Sequence, residues 1–167
     1  MNAKTTEDFV ISRSFDIHRA LMFKLWTDPN HLQRWYSPKG YSVLKAEGGY
    51  IAGGYYHYGM KSPDGQEMWG KSYILEVTPP ERLVYIGTFS DADGSLSHHP
   101  FAPNWPQKLL TTVTFAEENG KTTVTIRWAP YEATDVEIDA FDTARPNLTQ
   151  GWTGTLDNLT EYVASLK

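Results

Sequence analysis

His18, His31, His57, His98 and His99 are the side chains whose ordinary pKa lies near neutrality, and they are the first place to look for proton transfer or metal binding. Adjacent His98 and His99 cannot both aim at one metal from a regular strand, although a loop would allow it, and no His-Glu-x-x-His or equivalent spacing occurs. Metal binding is therefore not indicated. His98 or His99, or an acid such as Glu47, Asp64 or Glu67, could serve as acid or base. There is no recognisable Ser-His-Asp set, no paired-carboxylate motif, and no glycine loop between strand and helix to cradle a phosphate. No catalytic residue is assigned on this basis, and no cofactor is implied. The complete absence of cysteine removes disulfides, thiolate metal sites and cysteine nucleophiles together.

Aromatic side chains carry a stronger signal. Six Trp, ten Tyr and seven Phe make up 14% of the chain, more ring surface than closing a core of this size demands. Trp35, Tyr56, Tyr58, Trp69, Trp128 and Trp152 are the candidates to line a ligand site, with Met60 and Leu156 as adaptable apolar wall. Such rings offer large apolar area, and Tyr and Trp add a polar group that can orient a guest. The alternative is that they simply complete the core. A second candidate is the stretch from Ser90 to Gln107, which contains Gly94, Pro100, Pro103 and Pro106 and shows no periodicity. Loops longer than about 12–15 residues are uncommon in compact domains and often act as lids or binding loops. Within it His98, His99, Phe101 and Trp105 are the candidate lid or interface residues. A surface insertion, or one packed on a second subunit as a homodimer contact, is the competing account.

Positioning those groups requires a folded chain. The 167 residues suit one domain over 1–167, with an ordered core of about 8–166. Apolar residues at 40% and charged ones at 21% favour a globular fold over a disordered polymer. The formal charge of −5 argues against nucleic acid as the partner. No run approaches the roughly 20 apolar residues of a membrane span. The polar start Met1–Asp8 has no secretory apolar region, which with the lack of cysteine points to the cytoplasm.

The expected elements run in a simple order. Phe9–Phe15 reads as a half-buried strand. Asp16 offers an N-cap for a short helix through Arg19–Trp26, and Thr27-Asp28-Pro29 opens a second, Asn30–Tyr36. Strands follow at Tyr41–Ala46, Tyr55–Met60, Met68–Val77, Leu83–Phe89, Leu109–Ala116 and Thr122–Trp128. The last two form a hairpin across Asn119-Gly120. Tyr56, Tyr58 and Met60 share one face, whereas the inner face of 68–77 is not readable. Pro79-Pro80 marks a stiff corner. A weaker helix spans Val136–Ala144. Leu148, Trp152, Thr155, Leu156, Leu159, Val163 and Leu166 then fall at helical spacing. Gly151 and Gly154 within that helix suggest a tight approach to the sheet or a bend around a void.

Several motifs in this order resemble a known superfamily. They are Thr27-Asp28-Pro29 with Arg34-Trp35-Tyr36-Ser37-Pro38, Gly53-Gly54-Tyr55-Tyr56, Pro79-Pro80-Glu81-Arg82-Leu83-Val84-Tyr85, Thr111–Phe115, Gly120-Lys121-Thr122 and Gly151–Leu156. Over roughly Phe9 to Leu166 the chain resembles the START-related superfamily, in the branch similar to the activator of a heat-shock chaperone's ATPase. The resemblance implies an α+β helix-grip fold, a curved antiparallel sheet of about six or seven strands around a long C-terminal helix and a cavity. It leaves function open among three classes. One is binding of a small hydrophobic or aromatic ligand of lipid or polyketide type. A cyclase- or dehydratase-type enzyme would need an acid–base group inside the cavity. A chaperone-assisting interaction module would need a large exposed patch, with Phe101–Trp105 the place to look.

Overall fold

The structure is a computed structural model and describes residues 4–167. Its elements in chain order are β1 (Phe9–Phe15), α1 (Arg19–Thr27), α2 (Pro29–Trp35), β2 (Ser42–Gly48), β3 (Tyr55–Lys61), β4 (Glu67–Thr78), β5 (Arg82–Phe89), β6 (Lys108–Glu118), β7 (Lys121–Pro130), α3 (Asp135–Thr143) and α4 (Arg145–Ser165). The seven strands form one antiparallel sheet in the order β1-β7-β6-β5-β4-β3-β2. This is the α+β architecture the sequence implies, with the long helix at the C-terminus.

Local chemistry explains most boundaries. Asn119 and Gly120 take φ of 54° and 78°, the left-handed pair that a two-residue hairpin turn needs, and they join β6 to β7 with Glu118 opposite Lys121. The Asp28 side chain accepts the Asn30 N–H at 3.0 Å and Pro29 occupies the first helical turn, so α2 starts where the sequence places it. The start of α1 differs. His18, not Asp16, is its N-cap, and no side chain caps it from within. The Glu117 carboxylate reaches across from β6 to accept the Arg19 N–H at 2.7 Å, while Asp16 pairs with Lys167. In α3 Thr134 and Glu137 form a reciprocal capping box. Pro146 lies in the first turn of α4.

The helices pack on one face of the sheet. On α4 the buried stripe is Trp152, Leu156, Leu159 and Val163, at spacings of 4, 3 and 4. Leu166, expected in that stripe, is exposed at the helix end. α1 contributes Met22, Phe23, Leu25 and Trp26, which meet Leu83, Val113, Phe115, Val124 and Ile126 of the sheet in a single core. Register shifts between Val43 and Lys45 in β2 and between Ile74 and Glu76 in β4 place bulges that bend these strands. No helix among the described residues is long and apolar enough to cross a membrane.

Candidate functional site

Side-chain size along the inner face decides where the core closes and where it stays open. At one end of the sheet Leu83, Val113 and Ile126 lie opposite one another, all fully buried, and α1 fills the remaining space. Towards the other end, Ser72 lies opposite Gly87, and Thr111 lies between Tyr85 and Trp128. These small residues on the central strands cannot reach α4. The result is a cavity of about 530 Å³, within the range typical of small-molecule sites.

The walls around that floor are mostly apolar. Trp128, Leu109, Phe89 and Met68 come from the sheet, Leu148 and Gly151 from the first turns of α4. Tyr58 is held by an unusual cross-strand pairing. It lies opposite Gly70, and a Cβ at Gly70 would sit 2.5 Å from its ring and 2.4 Å from its hydroxyl. The glycine therefore gives the phenol its place over the sheet. On the other face Trp69 covers Gly59 in the same way. Tyr36, Tyr58, Tyr56, Tyr50 and Tyr85 make a continuous row, neighbouring centroids 5.5–5.7 Å apart. Burial raises the pKa of Tyr58 and Tyr85 well above the ordinary phenol value, and that of Tyr56 to about 12, so all three stay neutral hydrogen-bonding groups.

The 90–107 segment divides in two. Its first half turns back through a Ser90–Leu96 bridge onto the outer face of the sheet. There the His57 Nε2–H donates to the Asp91 carbonyl at 3.3 Å. The second half covers the cavity mouth with His99, Ala102, Trp105 and Pro106. Trp105 is buried against Phe141 of α3, centroids 5.8 Å apart. The His99 ring packs on Phe89, and its Nδ1 accepts the Phe101 N–H at 3.0 Å. In the neutral ring the proton then sits on Nε2. Burial lowers the pKa of His99, which favours that neutral form.

Comparison with known proteins decides the family. A family model described as "Activator of Hsp90 ATPase homolog 1-like protein" matches residues 16–164. The chain belongs to this family. No curated protein matches it. Solved structures share its fold. A protein from Rhodobacter sphaeroides superposes with a TM-score of 0.77 at 17% identity, over 96% of this chain and 93% of that one. One from Arthrobacter aurescens gives 0.75 at 22% identity over 95% and 86%, and one from Staphylococcus epidermidis 0.74 at 21% over 100% and 96%. At these identities the likeness concerns the fold alone.

Within this member of the Hsp90 ATPase activator homolog 1-like family, the residues singled out from sequence scatter over four places. Tyr58 and Trp128 line the cavity, as do His99 and Trp105 of the loop. Trp152 stands one ring behind, edge-on to Trp128 at 5.4 Å and stacked on Trp26 at 6.3 Å. The indole N–H groups of Trp26 and Trp152 are buried with no acceptor among the described residues. Trp35 and Leu156 are solid core, with the Trp35 Nε1–H donating to the Leu25 carbonyl at 3.1 Å. Tyr56 and Met60 share the inner face of β3 but lie outside the cavity. Trp69 points the other way: it stacks near His57 and donates to Glu67 on the outer face. The inner face of 68–77 is instead Met68, Gly70, Ser72 and Ile74.

The acid–base candidates fare similarly. Glu47 accepts from the Tyr55 hydroxyl, Asp64 from Ser62 within a turn, and Glu67 from Trp69, all outside the cavity. His98 is exposed beside Gln107, and Phe101 is 67% exposed. No cluster of three metal-ligating side chains occurs among the described residues. Most of the cavity lining was missed from sequence, the walls Tyr85, Phe89 and Leu109 as well as the floor of Ser72, Gly87 and Thr111. The smallness of the floor residues at inward positions was the available signal, and it could be read only with the strand register in hand.

Proposed function

We propose that this chain is a small-molecule binding domain which takes a hydrophobic or aromatic ligand of lipid or polyketide type into the cavity between sheet and α4. The observation that carries this reading is the inward Ser72, Gly87 and Thr111 floor, which leaves about 530 Å³ unfilled inside a ring of Tyr58, Tyr85, Phe89, Leu109 and Trp128. A chain selected only for stability would place larger side chains there, because unfilled apolar volume costs stability. Cyclase or dehydratase chemistry would need an acid–base pair facing the guest. His99 is the one lining side chain whose ordinary pKa is near neutrality, and no carboxylate accompanies it, which favours binding over turnover. Of the Phe101–Trp105 stretch that the chaperone-assisting alternative would use, Phe101 is exposed but Trp105 is buried, which leaves a single large apolar side chain on display there.

Native mass spectrometry of the purified chain against a panel of apolar and polycyclic compounds tests the proposal. One-to-one complexes with members of the panel are expected. A protein that stays free against the whole panel at concentrations of about 100 μM would overturn it.

A further inference from the structure

None of the residues lining the cavity is Asp, Glu, Lys or Arg. Of the cations next to lining residues in sequence, Arg127 is exposed on the opposite face of β7 from Trp128, and three others are engaged elsewhere. Lys108 pairs with Glu132 at 3.0 Å, Arg145 with Asp142 at 3.0 Å, and Lys71 sits over the Tyr55 ring at 4.5 Å. Polar groups are nevertheless present inside. The Tyr36, Tyr58 and Tyr85 phenols lie along one side and the His99 ring closes the mouth, while Asn147 stands exposed at the rim on the first turn of α4. The hydroxyl of Thr88 is already committed to the Lys71 carbonyl at 2.8 Å, and that of Thr111 reaches back to the Leu109 carbonyl at 3.5 Å.

A guest is therefore met by neutral hydrogen-bonding groups and no formal charge. The phenols remain protonated at any physiological pH because burial raises their pKa. The imidazole has its Nδ1 occupied by the Phe101 N–H, which leaves an Nε2–H donor. A carboxylate, phosphate or ammonium group taken into this space would give up its hydration without finding a counter-charge, a cost that single hydrogen bonds do not offset. The Tyr58 and Tyr85 hydroxyls are paired with Tyr36 and Tyr50. A ketone, ester, ether or hydroxyl oxygen would therefore find the Tyr36 O–H and the His99 Nε2–H as donors at little desolvation cost.

From this we infer that the cavity selects uncharged guests bearing an oxygen acceptor and rejects ionised ones, so that free fatty acids and phospholipid headgroups fall outside its ligand class. The inference rests on the binding reading above and narrows it to one chemical class.

Three probes of one shape test it at pH 7.5: 9-phenanthrol, methyl phenanthrene-9-carboxylate and the phenanthrene-9-carboxylate anion. Their compact tricyclic body leaves no long tail by which the charge could be held out in solvent. Binding is read by isothermal titration and by quenching of tryptophan fluorescence. The expected result is that the phenol and the ester bind, with the anion weaker by on the order of 100-fold, since even partial loss of ionic hydration amounts to a few kcal/mol. Equal affinity of anion and ester would overturn the selectivity while leaving the binding reading intact. Failure of all three to bind would count against that reading itself, and the selectivity would fall with it. Asn147→Lys, an exposed change at the rim, supplies an independent arm. It is expected to raise the affinity of the anion relative to that of the ester. An unchanged anion affinity would show that missing charge is not what excludes it.

Discussion

Tyr58 owes its position to the absence of a side chain at Gly70, and this makes a backbone glycine part of the cavity's design. Gly70→Ala would press a methyl group against the phenol, so the ring must leave its place over β4. Overpacking of this kind costs about 1–3 kcal/mol, and denaturant unfolding should show that loss with a weakened affinity for any cavity ligand. Two tryptophans separate a site role from a surface role. Trp128→Ala is expected to reduce ligand affinity at least tenfold, because its ring forms cavity wall. Trp69→Ala should leave affinity unchanged, since that ring covers Gly59 on the opposite face. Titration of both variants checks this, and equal losses would contradict the assignment of faces. Sequence alone could not separate these two residues. A ring flattened over glycine on an outer face shields as much apolar area as one in the core, so residue type says nothing about direction. The bulge between Ile74 and Glu76 removes the other clue, because inward parity passes from Met68, Gly70, Ser72 and Ile74 to Val77 across it.

At the scale of elements, what was legible depended on whether the determining chemistry was local. Asn119-Gly120 and Asp28-Pro29 carry their turn and cap within a few residues, and both structures form as expected. The α1 cap depends on Glu117, nearly a hundred residues away, and could not be read from neighbours. The 90–107 segment lacks periodicity because it is anchored by single contacts to two faces rather than by a packed stripe. Two of those anchors are histidines. His57 holds the first half through Asp91, and His99 holds the second through Phe89 and Phe101. Burial lowers both pKa values, so the folded form binds fewer protons than the unfolded one as pH falls through the ordinary histidine value of about 6.5. Protonation leaves the His57 donation to Asp91 in place but charges a buried ring, and it removes the His99 Nδ1 acceptor. The stability tied to the neutral imidazoles is therefore present above that value and declines below it. Amide exchange in residues 90–107 should accordingly accelerate between pH 7 and 5, while the β6–β7 hairpin stays protected. Uniform acceleration of both would argue against the histidine anchors. In α4 one of the two readings of the glycines is excluded. A Cβ at Gly151 or Gly154 would meet nothing within 4 Å, so neither marks a tight approach to the sheet. Gly151 borders the cavity, and nothing in the structure explains Gly154. Gly154→Ala should stabilise the chain by about 1 kcal/mol, measured by thermal or denaturant unfolding.

Across the whole molecule one sheet serves two purposes. Where large inward side chains meet α1 the two layers interlock and supply the stable body of the fold. Where the inward positions shrink to serine, glycine and threonine, the same layers stand apart and leave a cavity at the N-terminal end of α4. The order of elements made the architecture legible, but the cavity's place depended on which small residues face each other across β4, β5 and β6. Gly87 tests that division directly. A Cβ there would meet only atoms at 3.9 Å or beyond, so a larger side chain can enter the cavity without disturbing the strand. The decisive measurement is thermal unfolding of the native chain and of Gly87→Leu, each with and without a neutral tricyclic phenol at a hundredfold excess over its dissociation constant for the native chain. Linkage of about 2.7 kcal/mol predicts a rise of roughly 5–10 °C for the native chain, and Gly87→Leu, stably folded but with its cavity plugged, should show none. Equal rises in both proteins would place the ligand somewhere other than between the sheet and α4, and would contradict the account.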